Sequence, residues 1–215
     1  QSLSSAASDV YKRQVFSYKT INTRSLEVLH KDRGSKFYGY AIPIETDNEV
    51  MKALEDLKKK HSSARHFCYA YQHGIKTTYY RVSDDGEPNN SAGIPIYGQL
   101  QAFKLTNTLI VVIRYFGGTK LGIGGLISAY KKTAKLSIEA SNIKNVDILI
   151  PCKLSFDYKD LSKVMRIIKK QQLIIKHKRI EMKCEVLILV KKINLKSTII
   201  TFEGYHQIKV ENLND

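Results

Sequence analysis

The sequence predicts an α+β protein of two domains, and three observations carry that prediction. Leu109-Ile110-Val111-Val112-Ile113 is a short β-branched apolar run of buried-strand type. A glycine-rich turn follows it, after which Leu126, Ile127, Tyr130, Ala134 and Ile138 recur at helical spacing. Past Pro151, strand and helix patterns come in the β-α-β-β-α-β order of a ferredoxin-like plait. Val146 to Pro151 marks the boundary, which gives an N-terminal domain over 15–145 and a C-terminal domain over 146–215.

Residues 1–14 are set aside. Their Ser/Ala-rich start and the ending Asp9-Val10-Tyr11-Lys12-Arg13-Gln14 look like a translated sequencing adapter, with no apolar core of signal-peptide type. Ser35 to Ile44 reads as a strand ending at Pro43. Thr46-Asp47-Asn48-Glu49 fits a capping box, and the helix it opens runs to about Lys60 with Val50, Leu54 and Leu57 as its buried stripe. His66 to Tyr71 reads as a strand and Thr77 to Val82 as its partner across the Gly74 turn. Ala92 to Phe103 reads as a short helix with Ile96 and Leu100 inward. In the second domain the strands are 153–156, 173–180, 183–190 and 207–210, and the helices are 159–172 and, more weakly, 194–202. Leu161, Val164, Met165 and Ile168 form the inner face of the first of these helices. Lys159, Lys163, Arg166 and Lys170 form a basic stripe on another face. That stripe is either ordinary solvated charge or the best RNA contact in the domain.

Composition narrows the class. The 215 residues, 43% hydrophobic, suffice for two small domains with real cores. No apolar run approaches the ~20 residues needed to cross a bilayer. Cys68, Cys152 and Cys184 are odd in number and widely spaced, so neither a disulfide framework nor zinc-ligand spacing is present. A reduced, cytoplasmic protein follows from that usage. The net charge of +15 is shared as +1 over 1–14, +7 over 15–150 and +7 over the much shorter 151–215. Such charge favours polyanions such as RNA or the ribosome, and is also what a lysine-rich soluble protein carries.

The stretch Arg114-Tyr115-Phe116-Gly117-Gly118-Thr119-Lys120-Leu121-Gly122-Ile123-Gly124-Gly125 holds five of the 12 glycines. A helix start offers unpaired N–H groups and the positive end of the macrodipole, where phosphate or carboxylate binds readily. Arg114, Gly117, Gly118, Lys120, Gly122, Gly124 and Gly125 are therefore the candidate anion-binding residues. The spacing matches neither G-x-x-x-x-G-K-[ST] nor G-x-G-x-x-G. A tight turn with close helix-on-sheet packing is the competing explanation of the glycines.

Ser83-Asp84-Asp85-Gly86-Glu87-Pro88 is a loop with three carboxylates in four residues, and their repulsion requires compensation. Three readings are open, in this order of preference: pairing with Arg114 and Lys120, binding of a hard cation, and general acid–base work. His66, Asp84, Asp85, Glu87 and Arg114 are the catalytic candidates if the last holds. His66 alternates with Cys68 and Ala70, a pattern that also suits a core histidine.

Two motifs together carry a family resemblance. Arg114-Tyr115-Phe116-Gly117-Gly118, with Lys120-Leu121-Gly122 and Gly125-Leu126, resembles the signature of the YigZ/IMPACT family. So does the acidic run above with Ala92-Gly93-Ile94-Pro95-Ile96, and the resemblance extends over residues 18–141. Asn89-Asn90-Ser91 departs from the family's Ser-Gly-Thr type of turn, so any task of that threonine falls to Ser91. The resemblance implies a mixed-sheet first domain like the second domain of ribosomal protein S5. It also implies a second domain like domain V of elongation factor G. A cytosolic, translation-associated regulator that binds RNA or the ribosome, or a protein partner in translation control, is the expected function. A metal-dependent hydrolase built on Asp84-Asp85-Gly86-Glu87 with His66 and Arg114 is the alternative. No cofactor is expected.

Overall fold

A computed structural model describes residues 15–75 and 77–213, so the leader over 1–14 lies outside the described residues. The chain divides into two compact units, one over Tyr18–Val146 and one that joins the described residues up to Ser17 with the chain from Asp147 onward.

In the first unit a five-stranded sheet runs β2 (Val28–Asp32), β3 (Ser35–Pro43), β6 (Thr108–Tyr115), β4 (His66–His73), β5 (Tyr79–Ser83). A small second sheet pairs β1 (Ser17–Ile21) with β7 (Ile143–Asp147). Three helices accompany them: α1 (Asp47–Lys60), α2 (Gly93–Ala102) and α3 (Gly122–Glu139). Every ladder of the large sheet is antiparallel, which corrects the expected mixed sheet. The uninterrupted apolar run of β6 has another cause, since helices cover both faces of this strand. Leu109, Val111 and Ile113 pack under Val50, Leu54 and Leu57 of α1. Ile110 and Val112 pack with Ile96 and Leu100 of α2 and Tyr130 and Ala134 of α3. Ile127, counted with the inner stripe of α3 from its spacing, is 38% exposed. α1 starts as its residues require: Thr46 Oγ1 accepts from the Glu49 N–H at 3.4 Å, and Glu49 Oε2 accepts from the Thr46 N–H at 3.3 Å.

The register of β6 positions the site. Arg114 stands opposite Phe37 on β3 and opposite His66 on β4, at the end of the strand where the glycine turn begins.

A polar cluster lies on the α1 side of the same sheet. His61, 7% exposed, has Nε2 2.6 Å from the Tyr40 hydroxyl and Nδ1 3.0 Å from the Tyr115 hydroxyl. Tyr40 also bonds Glu27, and Lys60 donates to Glu27 at 2.7 Å. Burial lowers the His61 pKa below 6.5, against the raising effect of Glu27. The Tyr40 phenol is pushed up to about 12 by burial and by Glu27. Because the unfolded chain takes up the His61 proton first, stability falls as pH drops below 6.5. Thermal melts from pH 7.5 down to 5.5 should show this fall, and His61→Gln should flatten it.

The second unit is the plait its pattern predicts. β8 (Leu149–Asp157), α4 (Leu161–Lys170), β9 (Ile174–Arg179), β10 (Lys183–Lys191), α5 (Leu195–Glu203) and β11 (Lys209–Asn212) follow in order. The sheet order is β11-β8-β10-β9, with antiparallel neighbours throughout. β8 and β10 alternate buried and half-buried positions. One sheet face, with Leu154, Val186 and Ile188, thus joins Val164 and Ile168 of α4 and Phe202 of α5 in the core.

Candidate functional site: the acidic loop and the glycine turn

All three carboxylates of the acidic loop have partners inside the first unit. Asp84 Oδ1 accepts from the N–H groups of Ala92 and Gly93 at 2.9 and 2.8 Å, and its Oδ2 from that of Asn90 at 2.8 Å. It does for α2 what no side chain at the Ala92 cap position does. Asp85 Oδ2 accepts from the Phe67 N–H at 2.7 Å. Glu87 takes two bonds from Arg114 Nη1, at 2.8 and 3.1 Å, and one from the Tyr130 hydroxyl at 2.8 Å. The side chains of this ion pair are 7% and 4% exposed.

The expected pairing is thus realised for Glu87 with Arg114 and fails for Lys120, which forms no ion pair or hydrogen bond among the described residues. His66 Nδ1 lies 2.9 Å from the carbonyl of Asp85, not its carboxylate. A carbonyl only accepts, so Nδ1 carries the proton. Burial pushes the Cys68 thiol well up, and its Sγ lies 2.9 Å from the Asp84 carbonyl, which suits a protonated donor. Ser91 is fully buried and donates to the Pro88 carbonyl at 2.6 Å. Among the described residues no three His, Cys, Asp or Glu side chains converge as metal ligands do. Asp84 and Glu87 are thus tied into the framework by both of their oxygens or by a buried ion pair, while the exposed Asp85 engages only its Oδ2 among the described residues.

The glycines of the turn divide by role. Gly117 lies against Gly34: a Cβ on Gly117 would stand 1.9 Å from the Gly34 carbonyl carbon. Gly118 and Gly122 have positive φ, while Gly124 has open space around the position of a Cβ and no such φ. Arg114, expected to offer free charge to an anion, is instead neutralised by Glu87. Its Nη2 also donates to Ser35 Oγ at 3.3 Å, where the Gly117 N–H donates at 3.2 Å. Only its Nε, buried, lacks an acceptor. The start of α3 has no side-chain cap, and Lys120 stands exposed beside it. A cavity of about 390 Å³ opens there, walled by Pro88, Phe116, Leu121, Ile123 and Leu126 with Lys120.

Comparison with known proteins decides the family. The Impact N-terminal domain matches residues 33–138. An "IMPACT family member" of Haemophilus influenzae is 36% identical over 142 residues, covering 64% of this chain and 68% of its own. The chain belongs to the IMPACT family. YvyE of Bacillus subtilis, of the same family, is 34% identical over 142 residues, 66% of this chain and 65% of its own length. The match to Escherichia coli YigZ is 41% identical over 85 residues, 42% of that protein. A solved structure titled only as that of an hypothetical protein shares the fold, with a TM-score of 0.69 at 20% identity over 92% of this chain and 97% of its own.

In this IMPACT family chain two site residues escape a reading by motif, Tyr130 and Ser35. A tyrosine on the apolar stripe of α3 was the available signal, since a buried phenol needs a partner. Ser35 had none, because its role comes from the approach of two turns distant in sequence. The basic stripe lies beyond the matched residues 33–138. Lys159, Lys163, Arg166 and Lys170 are all exposed on or beside α4, with Lys163 also 3.6 Å from Asp160 and 5.1 Å over the Tyr205 ring. No helix among the described residues is long and apolar enough to cross a membrane.

Proposed function

We propose that this chain is a translation-associated regulatory protein of the cytoplasm. In this reading it binds RNA or the ribosome, holds a phosphate group of that partner at the glycine turn, and works with a protein partner in translation control. Family membership supports the regulatory part, through what the resemblance implies. The observation that carries the binding part is Lys120. It is a cation without a carboxylate partner among the described residues, beside an uncapped helix start and two residues from Gly122. The macrodipole and the unpaired N–H groups of α3 add to its attraction for an anion. The net charge of +15 and the α4 stripe supply affinity for a polyanion that does not depend on sequence.

The test is binding of structured RNA across a salt series. Affinity should fall steeply between 50 and 200 mM salt, by about 10³-fold or more if six phosphates are contacted. Lys120→Glu should weaken it uniformly across RNA sequences and reduce the salt slope by about 1. Affinity that ignores both salt and this substitution would refute the reading.

A further inference from the structure

Two cavities of the first unit share Arg114 and Phe116 in their walls. One is the apolar cavity at the glycine turn already described. The other, about 340 Å³, is walled by Ser63, Arg65, His66, Arg114, Tyr115 and Phe116. Their chemistry differs. The first offers hydrocarbon, the Arg114–Glu87 ion pair at its wall and, in Lys120, a cation without an acidic partner among the described residues. The second offers a hydroxyl, an exposed arginine without an acidic partner among the described residues, and an imidazole whose Nδ1 is already engaged. The ring of Phe116, common to both walls, is 57% exposed, with the Arg114 guanidinium 5.5 Å from its centre. The buried Nε of Arg114, in a residue common to both walls, is a hydrogen-bond donor still lacking an acceptor.

An exposed aromatic ring beside an apolar hollow, with separate cations in each of two adjoining cavities, matches one repeating chemistry. A nucleotide within an RNA strand has a planar base and a phosphate on either side of it. We infer that the paired cavities form a site for a single unpaired nucleotide of an RNA strand. Its base stacks on Phe116 in the apolar cavity, where stacking tolerates any base. One flanking phosphate meets Lys120 and the start of α3. The other meets Arg65 in the second cavity. This rests on the glycine turn being a phosphate site, and adds to it the class of ligand and a second contact.

A nucleoside 3′,5′-bisphosphate carries all three parts and is the probe, with adenosine and inorganic phosphate as comparisons, measured by calorimetry on the full chain. Adenosine 3′,5′-bisphosphate should bind at least tenfold more tightly than either comparison. Phe116→Ala should cost about tenfold or more in bisphosphate affinity, the value of one stacked base, and leave phosphate binding unchanged. Arg65→Glu should weaken the bisphosphate without affecting adenosine. Both side chains are exposed, so an unchanged melting temperature shows that each variant folds. Bisphosphate affinity no greater than that of phosphate, or untouched by Phe116→Ala, would overturn the inference. If RNA binding stayed salt-dependent and Lys120-dependent in that event, the proposed function would stand without it. Loss of both RNA and phosphate binding would remove the two together.

Discussion

Glu87→Ala should destabilise the first domain by about 3–5 kcal/mol, the usual cost of leaving a buried ion without its partner. Arg114 would keep its charge, since a guanidinium is not deprotonated in proteins, and it is only 6% exposed. Ser35 Oγ at 3.3 Å would be its remaining side-chain acceptor. Tyr130 would lose its acceptor as well, with a phenol whose pKa burial already pushes far up. A fall in melting temperature of roughly 10–20 °C follows for a domain of this size, to be read in thermal or urea melts. Removing both charges together, as Glu87→Leu with Arg114→Met, should recover most of the loss, because an apolar pair of similar volume avoids the desolvation penalty. A Glu87→Ala protein that melted within a degree or two of the parent would show that the pair is not buried as described. The outcome also bears on function. A large loss of stability places Glu87 in the framework under the glycine turn and removes it from the catalytic candidates.

Much of the fold was legible because its signals are local. Thr46 and Glu49 mark the start of α1 by their spacing alone. The plait of the second domain follows from element order and from the alternation along β8 and β10. What was not legible depends on distant parts of the chain. β1, β2 and β7 carry sequences such as Ser17-Tyr18-Lys19-Thr20-Ile21 and Ile143-Lys144-Asn145-Val146-Asp147. They lie at a sheet edge or in the small second sheet, where burial imposes little pattern. The site shows the same division. Arg114 and Lys120 are both cations in one motif, and only the sheet register and the packing of the acidic loop decide that Glu87 neutralises the first and leaves the second free.

Gly117 and Gly124 look alike in the sequence and should respond to the same substitution with opposite signs. In Gly117→Ala the new Cβ would stand 1.9 Å from the Gly34 carbonyl carbon and 2.2 Å from both the Gly34 oxygen and the Ser35 nitrogen. These are backbone atoms, which cannot rotate aside. Gly34 is itself held at φ +79°, in the turn between β2 and β3. Relief therefore requires moving one whole turn, and with it the Ser35 hydroxyl that Arg114 and the Gly117 N–H share. The cost should exceed the ~1–3 kcal/mol typical of overpacking in a core, measured by urea denaturation. Gly124→Ala meets nothing within 4 Å and needs no unusual φ. Lying in the first turn of α3, it should gain about 0.5–1 kcal/mol from the helix preference of alanine. A glycine that makes the fold less stable, with no geometric need for it, is expected where a ligand approaches the backbone closely. Gly124→Ala should accordingly raise the melting temperature while weakening phosphate binding. If it raised the melting temperature and left phosphate binding intact, the anion would not reach the start of α3.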